Sequence, residues 1–359
     1  MTSLTLHDRY LAVDDGPAAL VIREHLMPAE GAGGVLFPAT FAPGDGFPGG
    51  YNIDTDPGGR TVCLIDSVGS QANRMEPLFK ADRYRHLVPQ VVVQAGEKEV
   101  NLLDVGHRAG DALVRCSALL PKLRDAFAAV LGGDAAPLAG IAPTSLVFGV
   151  WDSRDTQVRL PRLVTSTVRA FGVQRLTRSA QYVPPIDYAA VGVVGADDRA
   201  KGEASAKSTV AQRGFVHVPS PGTHGGIIAA EVRRDASLSL VPLRQLAAGK
   251  DGPRGLALRR YLLGLSLVAF THPPGGYLRQ GCVLVRDPTR AAENEFVEVY
   301  FDGDRKPISL THTDAVEYAT RAAAAFGVGE SLTVPFDPDK ARAEARGEQK
   351  KKAAKGAKP

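Results

Sequence analysis

Residues 61–76 read TVCLIDSVGSQANRME, an apolar run that passes without a break into a polar, small-residue stretch. Thr61 to Asp66 has the composition of a buried strand. Ser and Asp just beyond it suit a helix start, because their side chains satisfy backbone N–H groups that the first turn leaves unpaired. Glu76 in the opening turns suits the helix dipole. The stretch is read as a strand, a cap and a helix over Gln71 to Lys80. Such junctions occur in both α/β and α+β domains, so the order of the remaining elements has to decide between them.

Outward from this junction, further strands are expected at Ala18–His25, Leu87–Gln94, Ser145–Trp151, Ile227–Arg233, Gly281–Arg286 and Phe296–Phe301. Helices are expected at Leu119–Leu131, Arg162–Phe171, Leu256–Phe270 and Asp314–Phe326. Strands and helices mix without the alternation of a doubly wound sheet, and no glycine fingerprint marks a dinucleotide site or a P-loop. The fold class read from this order is α+β around a largely antiparallel sheet.

The chain has 359 residues, 44% hydrophobic and 23% charged, which is ordinary for a globular protein and long enough for two domains or one with large insertions. Its three cysteines, Cys63, Cys116 and Cys282, are far apart and odd in number, which points neither to a disulfide framework nor to a metal knuckle. The opening MTSLTLHDRY has no basic start leading into an apolar run. Arg259 and Arg260 interrupt the most apolar segment, leaving it too short for a bilayer. A cytoplasmic protein with no membrane partner, no cofactor and no metal is expected.

Charge is distributed unevenly. Eight of the 43 Lys and Arg and four of the 39 Asp and Glu lie from Asp337 onward, so the body holds 35 of each. The segment 337–359 is read as a basic, disordered tail without apolar anchors. Such a tail either attracts nucleic acid in a salt-dependent way or only aids solubility. Within the body, arginines cluster between Asp152 and Tyr182, where Arg154, Arg159, Arg162, Arg169, Arg175 and Arg178 face only Asp152 and Asp155. With Pro161 at a helix start, Leu163, Val164, Val168 and Phe171 have the spacing of a buried helical face, and Arg162, Ser166 and Arg169 fall on another. That stripe suits either solvent or a phosphate backbone.

Two stretches resist assignment: the Gly- and Pro-rich Gly31–Gly59, and Gln181–Gly226 with the polar GADDRAKGEASAKST at its centre. In the second, Tyr182–Val194 and Arg213–Val218 suit the two sides of an extended arm.

Four segments, SVGSQANRME, GVWDSRDTQVRLPRLVTSTVRAFGV, RGFVHVPS and YLRQGCVLVRD, resemble, in this order, parts of the backbone subunit of type I-G (formerly type I-U) CRISPR surveillance complexes, the Cascade assemblies. The resemblance spans Ala18 to Asp302. It implies membership of the RAMP superfamily, with a modified RNA-recognition, ferredoxin-like fold over 1–336 carrying an inserted loop at 31–59 and a thumb-like arm near 181–226. It also implies noncatalytic, antiviral guide-RNA binding by an oligomer, several copies lining one crRNA and presenting it to a target DNA strand. The partners implied are other Cascade subunits and a recruited nuclease-helicase.

In related subunits a Ser- and Gln-rich segment entering a helix grips the guide phosphates. Here that role falls on Ser67, Ser70, Gln71, Asn73 and Arg74, where a helix N-terminus and an arginine fork both suit a phosphate. This sequence departs from a strongly basic pattern in having Asn73 beside a single arginine. Arg159, Arg162, Ser166 and Arg169 join the candidate RNA-binding set, with Arg175, Arg178 and Tyr182 at the base of the arm. Tyr277 and Arg279 complete it, after a glycine pair that permits close backbone approach. The alternative is a metal-independent RNA-processing endonuclease of the same superfamily, with His224 of SPGTHGG as acid or base. Asp187, Asp197 and Asp198 lie in the arm, where type III relatives carry a cleaving aspartate. Type I complexes leave cutting to the recruited nuclease, and no activity is expected.

Overall fold

The computed structural model describes residues 4–346, apart from 179, 206, 221–223 and 274. The strand expected at Thr61–Asp66 forms with those bounds and belongs to a nine-stranded antiparallel sheet. Its strands are β1 (Ala19–Pro28), β2 (Ile53–Thr55), β3 (Thr61–Asp66), β4 (Val164–Arg175), β5 (Ile227–Ser239), β6 (Tyr277–Arg279), β7 (Cys282–Arg286), β8 (Glu295–Val299) and β9 (Arg305–Pro307). Across the sheet they run β6-β7-β1-β5-β4-β3-β2, with β8 also pairing β1, and β9 pairing β8. The fold is α+β, as the mixed element order indicates, and is compatible with a modified ferredoxin-like plan.

Of the segment Arg162–Phe171, expected to be a helix, all but the first two residues lie in strand β4. Val164, Thr165, Thr167, Val168 and Val173 are β-branched, which disfavours a helix and fits a pleated surface. The apolar spacing satisfies both periods, and pairing decides between them. β4 hydrogen-bonds β5 over most of its length on one side and β3 on the other. Alternation then sends Val164, Ser166, Val168 and Ala170 to one face, and Thr165, Thr167 and Arg169 to the other.

Ser145–Trp151, expected to be a strand, is mostly helix. The main helices are α1 (Val68–Met75), α2 (Leu120–Leu131), α3 (Pro143–Phe148), α4 (Gly252–Thr271), α5 (His312–Phe326) and α6 (Pro338–Ala345). Every residue of α3 is buried, so the segment has no polar face whose period could distinguish helix from strand. Pro143 suits its first turn.

The larger core packs α4 and α5 against one sheet face. Gly264 makes their close approach possible, since a Cβ there would lie 2.8 Å from Ala319 Cα. Tyr261 stacks on Phe326 at 5.0 Å and donates to the Leu87 carbonyl. Arg259 and Arg260, which interrupt the apolar run of α4, bond the Leu246 carbonyl and Asp8. A second cluster around Cys63, Val168, Val232 and Cys282 fills the space under the β6–β7 hairpin.

In the arm, Ala180–Tyr182 pairs with Val218–Ser220 as a two-stranded ribbon. Beyond it, helices Ala196–Ala204 and Thr209–Gln212 enclose a small cluster of Val194, Ala211 and Val216. From Asp337 the chain continues as α6, where disorder was expected. Its anchors are polar: Glu344 accepts from Arg115 and from the Cys116 thiol, and the Asp337 N–H donates to the Cys116 carbonyl. The remainder of the expected tail, residues 347–359, lies outside the described residues.

Candidate nucleic-acid interface

The junction after β3 is organised by Asp66, whose side chain is wholly buried. Its carboxylate accepts from Ser70 Oγ at 2.8 Å, Gln71 Nε2 at 2.7 Å, Arg74 Nε at 3.0 Å and Arg279 Nη2 at 3.2 Å. Ser67 caps α1, accepting from the Ser70 N–H. Arg74 and Arg279 also donate to the Leu278 and Ile65 carbonyls. Two expected sites far apart in sequence, SVGSQANRME and YLRQG, thus meet on one carboxylate, with two cations against one anion.

A hydrogen-bonded line continues inward from Gln71. Ser166 donates to Gln71 Oε1 at 2.8 Å and accepts from Arg234 Nε at 3.2 Å. Arg234 is paired at 2.5 Å with Glu24, which also accepts from Arg286. Buried charges need such partners. Ser166 therefore serves the interior, and Arg169, on the opposite face of β4, bonds Thr167; the expected Arg162–Ser166–Arg169 stripe does not form. Gln71, Asn73, Arg74 and Tyr277 line an opening of about 380 Å³ beside this network, and Tyr277 is 64% exposed.

A larger groove, of about 950 Å³, lies past the N-terminal end of α1. Val68 forms part of its wall, and the rest comes from residues 106–115 and 149–165. Arg108, Arg115, Arg154, Arg159 and Arg162 line it with His107, and its described lining contains no aspartate or glutamate. Arg108 is buried against Glu76 at 2.7 Å, and Arg115 is held by Glu344 at 2.6 Å. Arg154, Arg159 and Arg162 have no ion pair among the described residues.

The wall is shaped by a short hairpin, Val150–Trp151 against Arg159–Leu160. Asp152 accepts from the Thr156 N–H and hydroxyl, closing the turn. Asp155 pairs with Arg124 at 2.6 Å. The two acids that the sequence sets against the arginines are therefore committed elsewhere. Gly149, at φ +80°, lets Arg162 fold across it, because a Cβ there would stand 2.9 Å from Arg162 Cγ. Asn73 accepts from Arg108, tying α1 to the groove.

Of the expected residues, Ser67, Ser70, Gln71, Asn73, Arg74, Ser166, Tyr277 and Arg279 gather around α1, and Arg159 and Arg162 lie in the groove. Arg175, Arg178 and Tyr182 are exposed where β4 runs into the arm. Sequence reasoning passed over Trp151, His107, Arg108 and Arg115, and counted Arg154 only within the arginine cluster. A lone tryptophan next to DSRD was the available signal for Trp151; Arg108 and Arg115 offered none. His224 packs edge-on against Tyr51, with ring centroids 5.2 Å apart. Asp187 is occupied by Arg199 and two backbone N–H groups. Among the described residues no group of three His, Cys, Asp or Glu could hold a metal ion, and no helix is long and apolar enough to cross a membrane.

Clustered arginines, with no acid among the described lining residues, give the groove a positive field. Residues 20–175, which include Asp66, α1 and the whole described lining of the groove, match the family described as CRISPR-associated protein GSU0053, and this match supports a role in a CRISPR system. No curated protein matches the chain.

Proposed function

We propose that the protein is a noncatalytic guide-RNA-binding backbone subunit of a type I-G Cascade, of the RAMP superfamily. Copies of it line up along one crRNA in the cytoplasm, hold the RNA backbone and leave sequence reading to base pairing with the target DNA strand. Cutting falls to the recruited nuclease-helicase.

The observation that carries this reading is the groove with three unpaired arginines beside the start of a helix, within the segment that matches a CRISPR-associated family. Guanidinium groups and free backbone N–H groups suit phosphate oxygens. Arg74 and Arg279 add two partly exposed cations on the other side of α1.

The test is co-purification: the protein is expressed with a CRISPR array and its neighbouring genes, and the RNA that travels with it is sequenced. Guide-length RNA in a large particle is the expected result. A monomer free of RNA overturns the reading.

A further inference from the structure

Trp151 is the one tryptophan of the chain, and 58% of it is exposed. A large aromatic ring left in water on a hairpin calls for a reason, since burying it would be favourable. Its surroundings are specific. Arg159, its cross-strand partner, stands with its guanidinium carbon 5.8 Å from the ring centroid. Arg154 and Arg162 line the same groove. The backbone beneath is closely packed, because a Cβ at Gly110 would lie 2.9 Å from the Trp151 carbonyl oxygen, and the Asp152 turn closes the hairpin.

A cation over one side of an indole ring and phosphate-binding cations around it make a platform for an unpaired base: the ring stacks the base while the arginines take the flanking phosphates. A duplex cannot use such a platform, because its bases are already stacked on one another. We infer that Trp151 and Arg159 form a stacking platform for an unpaired nucleobase, which makes the groove selective for single-stranded RNA. The inference rests on the groove being the RNA site.

The experiment titrates the purified protein with single-stranded oligouridine RNA and with an RNA duplex of equal length. Fluorescence anisotropy of the labelled RNA reports binding, and tryptophan emission reports Trp151. Oligouridine is expected to quench the emission, and the duplex to leave it unchanged. Trp151→Ala is expected to weaken oligouridine binding about five-fold or more, whereas Trp151→Phe, which keeps a ring, stays near the parent. Binding without quenching, with Trp151→Ala as tight as the parent, overturns the inference and leaves the groove reading standing. No oligouridine binding by the parent overturns both. An emission change that follows protein concentration without RNA assigns Trp151 to a contact between copies and overturns the inference.

Discussion

Arg74 and Arg279 grip opposite oxygens of a single buried carboxylate, Asp66, although Arg279 lies 213 positions beyond Asp66 in the chain. One anion thus joins the start of α1 to the far β6–β7 hairpin.

Asp66→Asn keeps the shape and removes the charge. Two arginines then lose their counter-ion, and the variant should be less stable by about 2 kcal/mol. Urea unfolding measures this, and a change within experimental error would show that Asp66 does not hold the junction.

Replacing Arg154, Arg159 and Arg162 together with alanine should leave the circular dichroism spectrum unchanged and weaken single-stranded RNA binding by about ten-fold or more at physiological salt. The dependence of log affinity on log salt should become shallower by roughly 2, as expected when three cations stop contacting phosphates. An unchanged slope would place the phosphates elsewhere.

Gly149 sits at φ +80°, ψ 150°, a region almost reserved for glycine. Gly149→Ala should cost about 2 kcal/mol in backbone strain, and its Cβ would also push Arg162 aside. A loss of RNA affinity alongside the lowered Tm is expected; a Tm equal to the parent's would be inconsistent with this geometry.

His272 and His312 stand 5.3 Å apart, ring centroid to centroid. Thr271 Oγ1 donates to the Leu267 carbonyl, so it accepts from His312 Nδ1–H, which leaves Nε2 to accept from the Tyr84 hydroxyl. The His312 ring is thus set up as neutral, and burial lowers the pKa of both histidines below the ordinary 6.5. The unfolded chain takes up protons near pH 6.5 that the native state refuses. Their contribution to stability is therefore present above that pH and is lost as pH falls below it. Tm should decline from pH 7 to pH 5 more steeply in the parent than in His272→Gln/His312→Gln, and parallel profiles would exclude the pair as the cause.

The junction at residues 61–76 was legible because its signals are local: an apolar run, a serine cap and a helix-permissive stretch. α2, α4 and α5 were legible from their apolar residues and length. β4 was not, since its apolar spacing fits two periods and only its neighbours β3 and β5 settle the matter. Helical spacing puts Ser166 on a ligand-facing stripe and the resemblance puts Gln71 on the RNA, yet both are buried and bonded inside, Ser166 to Gln71 and to Arg234. The groove escaped for a different reason: residues 68, 106–115 and 149–165 meet only in the folded chain, and no pattern within any one of them announces the others. Its arginines were visible, but not that Asp152 and Asp155 would be occupied elsewhere.

Glu344 neutralises Arg115 on the wall of the groove. It holds the last turn of α6 at the rim of the groove. The five lysines and one glutamate beyond residue 346 account for the whole net charge of +4. Removing everything from Asp337 onward would bring the net charge of the chain to zero and yet free a fourth cation, Arg115, on the groove wall.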